Sequence, residues 1–373
     1  MKIVFITNDI SYYGASRSLK TLIEGINELK SNGIEVHLIV PKRLKNKNDF
    51  NYLETWFGVP KNRIYEFSLP FYNNYKGNRK SFFHYLFNIR WLLSSNKLYR
   101  FLKKQNFDFV HLNSLTLNDV AKKDFNFVLH IREILKDLKD KLHLQKKLNE
   151  INKLVFIDHA TAMAFDSFKL PENIILNNPF SMEHLKNIEY SDELDMLTKI
   201  GEEKIVFALI GKIHEEKGTE FIINSFNNYP QDNVRLIIKG GGEANYINYI
   251  KNIAGPKVIF LNESPNVENI YATADYILRG EGYPCIGRTT FEGLYSGTGV
   301  ILPGVIEYYK ENVLEYNIFQ NDLFTYEPRD MDSLERVISY AKKRTQKDRK
   351  LRSNIKNYTN TFINFIANEN VNH

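Results

Sequence analysis

The sequence of 373 residues predicts an α/β protein made of two doubly wound, parallel-sheet domains. Three observations lead there. Short apolar runs bounded by charge alternate with longer amphipathic stretches, the pattern of buried parallel strands and the helices that cover them. Several of these runs end in polar or glycine-rich turns, where open α/β sheets place their ligands. Near the middle, a charge-rich stretch from Ser181 to Glu203 interrupts the alternation and reads as the domain boundary. Composition agrees, since 43% hydrophobic and 25% charged residues are ordinary for a globular chain of two domains.

In the first half, Lys2 to Asn8 reads as a strand. Ser11 to Ser16, with Gly14 and Ala15, reads as a turn into a helix whose apolar positions are Leu19, Leu22, Ile23, Ile26 and Leu29. Gly33 suits the helix end, and Glu35 to Val40 closes the unit as a second strand. The lone glycine is not the G-x-G-x-x-G of a dinucleotide site, so no nicotinamide cofactor is inferred. Asp108 to Ser114, Phe127 to Glu133, Lys153 to His159 and Asn173 to Asn177 continue the alternation until Asn178-Pro179 breaks it. Polar residues at two of these strand ends, Asn113, His130, Arg132 and Glu133, are candidates for contacting a ligand. His111 is a weaker one.

The second half repeats the pattern at Lys204 to Ile210, Val234 to Lys239, Val258 to Leu261, Tyr276 to Leu278 and Val300 to Leu302. The turn Gly211 to Thr219 carries Lys212 and Lys217, whose ammonium groups suit a diphosphate. Gly240 and Gly241, at the next strand end, clear space beneath a nucleotide or simply make a tight turn. The most informative block is Arg279 to Gly304, a strand end, a glycine-rich loop, a helix and a further strand. Gly280, Gly282 and Gly287 permit close backbone approach, and Arg288, Thr289 and Thr290 lie at the helix start, where free N–H groups favour phosphate. Glu292, on the first turn, suits paired sugar hydroxyls better than phosphate. Met331 to Lys343 and Lys347 to Phe365 read as amphipathic helices, and Asn368 to His373 as a loose tail. Asp330 and Asp332 resemble a metal-binding acid pair, but their place before an apolar helix makes an N-cap the better reading.

Other classes drop out on composition. One cysteine, Cys285, excludes an intramolecular disulfide framework and multi-cysteine zinc sites and fits a reducing, cytoplasmic compartment. The nine histidines show no metal-ligand spacing. The first residues turn polar too quickly for a signal peptide, and no apolar run reaches the about 18 residues of a membrane span. The net charge of +6 is unevenly placed, with fourteen lysines and arginines against three acids between Pro41 and Asn106. The same segment holds both tryptophans, Trp56 and Trp91, among many other aromatic residues. That mixture suits an anionic membrane interface or single-stranded nucleic acid, or else a solvated helical face over an aromatic core. Without a nucleic-acid-binding signature, the membrane is the better functional reading and no nucleic-acid partner is expected.

The block from Arg279 to Gly304 resembles the C-terminal signature of glycosyltransferase family 4, retaining enzymes of the GT-B fold. The resemblance implies two Rossmann-like domains facing across a cleft. The N-terminal, acceptor-side domain would span 1–180 and the nucleotide-sugar domain 181–345, with 346–373 a helix crossing back to the first domain and then a tail. It implies that Lys212 and Lys217 neutralise the leaving diphosphate. The Gly14-Ala15 loop and the Arg288-Thr289-Thr290 turn would give N–H donors to phosphate or sugar. Glu292 would hold the ribose, Glu281 the donor sugar, and His130 the transferred sugar. The family's usual spacing back from Glu292 falls on Pro284, so Glu281 serves only if the loop is longer here. No cofactor or metal is implied, the co-substrate being a nucleotide sugar, most simply a UDP- or GDP-sugar. The acceptor would be a hydroxyl of a lipid-linked surface glycan such as capsule, O-antigen or lipopolysaccharide, reached from the inner face of the cytoplasmic membrane. Two rivals stand beside this reading, a nucleotide-sugar 2-epimerase and a non-catalytic GT-B subunit that binds a glycan or a partner.

Overall fold

The computed structural model describes residues 1–11, 14–29, 33–42, 48–71, 82–133, 138, 140–264, 266–313, 315–344 and 349–368. The chain forms two compact units, Met1–Pro179 with Asn354–His373, and Phe180–Ser353.

The first unit runs β1 (Lys2–Ile6), α1 (Gly14–Glu28), β2 (Glu35–Pro41), α2 (Phe50–Phe57), β3 (Ile64–Phe67), α3 (Phe82–Gln105), β4 (Phe109–Leu112), β5 (Phe127–Ile131), α4 (Lys141–Leu148), β6 (Lys153–Phe156), α5 (His159–Met163) and β7 (Glu172–Ile175). Its seven strands lie in the order β3-β2-β1-β4-β5-β6-β7, all parallel. The order reverses between β1 and β4, paired Ile3 with Phe109 through Ile6 with Leu112. In such sheets the ligand crevice opens at the C-terminal strand ends beside that reversal. Both faces are covered, which is why Ile3, Val4, Phe5 and Ile6 are apolar without alternation.

The second unit runs α6 (Asp192–Glu203), β8 (Ile205–Ile210), α7 (Thr219–Asn228), β9 (Val234–Lys239), α8 (Ala244–Ile253), β10 (Val258–Leu261), α9 (Glu268–Thr273), β11 (Tyr276–Leu278), α10 (Arg288–Tyr295), β12 (Gly299–Pro303), α11 (Ile306–Asn312), α12 (Tyr316–Phe319), β13 (Leu323–Tyr326) and α13 (Met331–Tyr340). Six parallel strands take the order β10-β9-β8-β11-β12-β13, reversing between β8 and β11. Asp330 caps α13, its Oδ1 accepting the Ser333 N–H at 3.0 Å. Among the described residues no cluster of three or more His, Cys, Asp or Glu could hold a metal ion.

The last helix, α14 (Ile355–Ala367), belongs to the first unit. It starts later than the apolar periodicity from Lys347 predicts, and 345–348 lie outside the described residues, as does most of the expected tail. It packs on α1 so tightly that a Cβ on Gly25 would stand 2.2 Å from Thr359 Oγ1. The Lys153 ammonium fastens its end, donating to the Phe365 carbonyl at 2.6 Å and the Asn368 carbonyl at 2.5 Å. A cation there also complements the helix dipole.

Candidate functional site

In the second unit the polar groups gather on the turns that follow β8, β9 and β11. Glycines make this possible. A Cβ on Gly218, which has φ +67, would stand 1.6 Å from the Gly280 carbonyl, and one on Gly240 would stand 1.7 Å from the Gly211 carbonyl. Gly241 faces the Glu263 carboxylate, 1.9 Å from its Cβ position. These glycines therefore let neighbouring turns touch one another, a use that their sequence reading as space beneath a nucleotide did not include. Gly287 is the N-cap of α10, and a Cβ there would meet Arg279 Nη1 at 2.2 Å.

A chain of charge runs through the same turns. Lys217 Nζ lies 3.1 Å from Glu281 Oε1, and the Arg279 guanidinium grips both Glu281 oxygens, Nε reaching Oε2 at 3.1 Å and Nη2 reaching Oε1. Arg279 Nη1 then donates to Thr289 Oγ1 at 3.1 Å, in the first turn of α10. Glu281 is 2% exposed, whereas the Lys217 side chain is 46% exposed. Burial pushes the Glu281 carboxyl up, but the Arg279 guanidinium, helped by Lys217, outweighs this and holds it at about 2. The carboxylate stays ionised, and Lys217 is held at the surface end of the chain. Lys212 is exposed on the same turn.

Glu292 is fully buried. Its Oε2 accepts the Tyr271 hydroxyl at 2.7 Å and its Oε1 the Arg288 Nε at 2.7 Å, an i,i+4 pair on α10. Arg288 also lies over the Phe180 ring, 4.9 Å from its centroid. Of the three residues at the helix start, Thr290 turns its N–H onto the Gly287 carbonyl at 3.0 Å and its Oγ1 towards the Gly287 N–H at 3.4 Å. Pro284, where the family spacing would put an acid, packs on the end of β12, its Cγ 2.7 Å from the Cβ position of Gly304.

The first unit carries a different cluster, also beside its strand-order reversal. Asn113 follows β4 and donates from Nδ2 to the Ala15 carbonyl at 3.1 Å, joining the β4 turn to the start of α1. Gly14, with φ +48, opens that helix with free space where a Cβ would go. Arg132 is bound on every side. Its Nε donates to Asn113 Oδ1 at 2.9 Å, its Nη1 to Asn178 Oδ1, and its Nη2 to His130 Nδ1 at 3.1 Å. Glu133 spends both oxygens on local groups, taking the Ser114 hydroxyl, the Leu115 N–H at 3.1 Å and the Arg132 N–H at 3.0 Å. It therefore fixes a turn.

His130 and His111 are both fully buried, with His111 Nε2 3.4 Å from His130 Nδ1. Burial, assisted by the Arg132 charge, pushes both imidazoles well below their ordinary value, so both are neutral. Arginine can only donate, so His130 Nδ1 accepts and the ring carries its proton on Nε2. That Nε2 is buried without a hydrogen-bond partner in the chain.

The sequence did not single out Arg279 or Tyr271. Arg279 stood at the edge of a motif already read for its glycines, and Tyr271 meets Glu292 only through tertiary packing. The basic aromatic segment is resolved in part. Residues 43–47 and 72–81 lie outside the described residues, while α3 shows Tyr85, Ile89, Leu92 and Leu93 exposed.

Residues 192–359 match the family model described as glycosyl transferases group 1. No curated protein matches the sequence. Among solved structures, Anabaena Alr3699/HepE in complex with UDP and glucose aligns over 98% of this chain and 95% of its own, at 16% identity and a TM-score of 0.66. The E. coli trehalose-6-phosphate protein bound with UDP-2-fluoro glucose aligns over 99% and 100%, at 12% identity and a TM-score of 0.68. The sucrose-phosphate synthase of Thermosynechococcus elongatus aligns over 96% and 94%, at 13% identity and a TM-score of 0.66. These likenesses show the fold, two Rossmann-like units as in GT-B proteins. With a glycosyltransferase group 1 domain over residues 192–359 on that fold, the chain is a glycosyltransferase.

Proposed function

We propose that the protein is a retaining glycosyltransferase that moves a sugar from a nucleotide donor to a hydroxyl of a surface glycan carried on a lipid. The observation that carries the donor half is the charged chain from Lys217 through Glu281 and Arg279 to Thr289, which joins the turn after β8 to the first turn of α10. Cations and a helix N-terminus together suit the diphosphate of a nucleotide sugar. Lys212 and Lys217 bind that diphosphate as the bond to the sugar breaks, and the Arg288 and Thr289 turn receives it. Because lysine and arginine supply the positive charge, chelation of divalent metals leaves the rate unchanged. Glu292 takes the ribose hydroxyls, and Glu281 takes a hydroxyl of the donor sugar beside its ion pairs. In the first unit, His130 offers a neutral Nε2–H donor to the transferred sugar, with Arg132 and Asn113 behind it. Gly14 and Ala15 lie at the start of the neighbouring helix. Two of the structural neighbours were solved with UDP-containing ligands, which favours UDP over GDP as the donor nucleotide.

Ligand-induced thermal stabilisation across UDP-, GDP-, ADP-, dTDP- and CMP-sugars tests the donor half. A ligand at about 100 times its dissociation constant adds about 2.7 kcal/mol. The expected result is a UDP- or GDP-sugar response that Glu292→Gln removes. No response from any nucleotide sugar by the folded protein sinks the reading. Release of a sugar epimer without any acceptor would replace it with an epimerase. Proton NMR of the first product formed reads the anomeric outcome, and inversion would refute retention.

A further inference from the structure

Helix α3 has 24 residues, no acidic side chain and five cations, Arg90, Lys97, Arg100, Lys103 and Lys104. Its inner face is settled, since Trp91, Leu98 and Leu102 are 6%, 0% and 1% exposed in the first unit's core. On the outside, Tyr85 is 55% exposed, Ile89 52%, Leu92 76% and Leu93 82%. Their spacing of i, i+4, i+7 and i+8 puts all four on one stripe of the helix. Single exposed hydrophobics are ordinary, but a contiguous stripe of four on a helix already anchored by its other face marks an interaction surface. Towards the C-terminal end the exposed face changes character. Lys97, Arg100, Lys103 and Lys104 are all exposed there, with Arg100 and Lys103 prolonging the line of the apolar stripe.

We propose that the outward face of α3 docks on an anionic lipid bilayer, its four apolar side chains entering the interface and its cations meeting the headgroups. The charge chooses the occupant. A surface that combines large apolar groups with cations and no acid complements a negatively charged, apolar-cored layer. A second copy of this chain fits poorly, because a symmetric contact through this face would set one cationic helix against another. The helix lies on the bilayer, since among the described residues no helix is long and apolar enough to cross one. This deepens the reading of a lipid-carried acceptor and would bring the first unit to the surface where such an acceptor is presented.

The test is co-sedimentation of the full chain with phosphatidylcholine vesicles, with and without phosphatidylglycerol. The expected result is binding that requires phosphatidylglycerol and weakens as salt rises. Leu92→Ser with Leu93→Ser should lower the partition by about tenfold or more, from the loss of buried apolar area. Arg100→Glu with Lys103→Glu should lower it by at least about tenfold, since each cation near such a surface strengthens binding on the order of fivefold. Both variants should keep the wild-type thermal shift with the donor nucleotide, which shows that they are folded. Absence of binding to phosphatidylglycerol vesicles at low salt overturns the proposal, as does equal binding by the variants. A wild-type dimer that Leu92→Ser/Leu93→Ser dissociates overturns it in favour of a second copy. No nucleotide response from the wild-type chain would instead count against the transferase reading; vesicle binding is then judged on its own, with the variants' unchanged thermal unfolding midpoints showing that they are folded.

Discussion

The two units place polar clusters at the same topological position, beside the strand-order reversal, and build them from opposite materials. In the first unit one guanidinium, Arg132, is ringed by two asparagine oxygens and a neutral imidazole. In the second, Arg279 and Lys217 flank a single carboxylate, and Arg288 faces another. Neutral groups set around a single cation suit sugar hydroxyls, while a cluster in which cations outnumber carboxylates suits a diphosphate. A shared fold therefore leaves the chemistry of each edge to a few turn residues.

The largest expected difference lies in the two arginines. Arg279→Ala leaves Glu281 buried with only the half-exposed Lys217, and breaking a buried pair in this way costs about 3–5 kcal/mol. Arg132→Ala strands only neutral acceptors and should cost about 1–3 kcal/mol. Urea unfolding can follow each unit separately, because both tryptophans, Trp56 and Trp91, lie in the first. Hydrogen exchange at the strands of the second unit reports the other. A larger loss from Arg132→Ala would invert the comparison. Recovery in Arg279→Met/Glu281→Met would confirm that the unpaired charge causes the loss.

Acid should separate the units next. His111 and His130 are depressed on folding, so the unfolded chain takes up protons first, near the ordinary value of 6.5. Stability of the first unit is unaffected above that pH and falls below it, by about 2.7 kcal/mol per pH unit if both rings stay neutral. Glu281 is also depressed, from 4.5 to about 2, but an acid behaves differently. Its contribution, about 3 kcal/mol, is complete above pH 4.5 and is lost as the pH falls towards 2. Tryptophan fluorescence should therefore show the first unit weakening between pH 6.5 and 4.5, before the charged chain of the second titrates. His111→Phe should roughly halve that slope, and an unchanged slope would remove the histidines as its cause.

Glycines sharpen the contrast at a smaller scale. Gly240→Ala drives a methyl group against the Gly211 carbonyl, so the turns after β8 and β9 must part at a cost of about 1–3 kcal/mol, and donor affinity falls with them. Gly14→Ala meets no atom and costs only the left-handed backbone penalty, about 1 kcal/mol. Calorimetry of both variants with donor nucleotide checks the order, and an equal loss of stability and affinity in the two would break it.

These effects were unevenly visible in the sequence. Val234–Lys239 and Tyr276–Leu278 have in the structure the boundaries that the sequence predicts, because central parallel strands covered on both faces are apolar runs with sharp polar ends, and the edge strand Val258–Leu261 has them because its four residues are an unbroken apolar run. Ile64–Phe67 and Leu323–Tyr326 were missed. Both are four-residue edge strands whose mixed burial gives neither an apolar run nor a clean alternation. Lys217, Glu292 and the glycines were legible as residue types on turns. What they touch was not, since Glu292 meets a tyrosine 21 residues earlier and Lys217 a glutamate 64 residues later.

The smallest effect bears on the residue that the sequence left most open. Glu281 stands further from Glu292 than the family spacing allows, and the structure fills the expected position with Pro284 packed on β12. A carboxylate clamped between two cations reduces the positive charge that a diphosphate would meet, so its first effect on a bare nucleotide is repulsive. Glu281→Gln keeps the shape, releases Lys217 and Arg279, and should strengthen UDP binding by roughly threefold to tenfold, about 1 kcal/mol. A UDP-sugar should gain less, because the amide replaces an ionised acceptor for the sugar hydroxyl with a weaker one. Titration calorimetry with both ligands separates the roles. Equal gains would make Glu281 a counter-ion alone, and a loss for UDP would mean that the carboxylate's hold on Lys217 matters more than its charge.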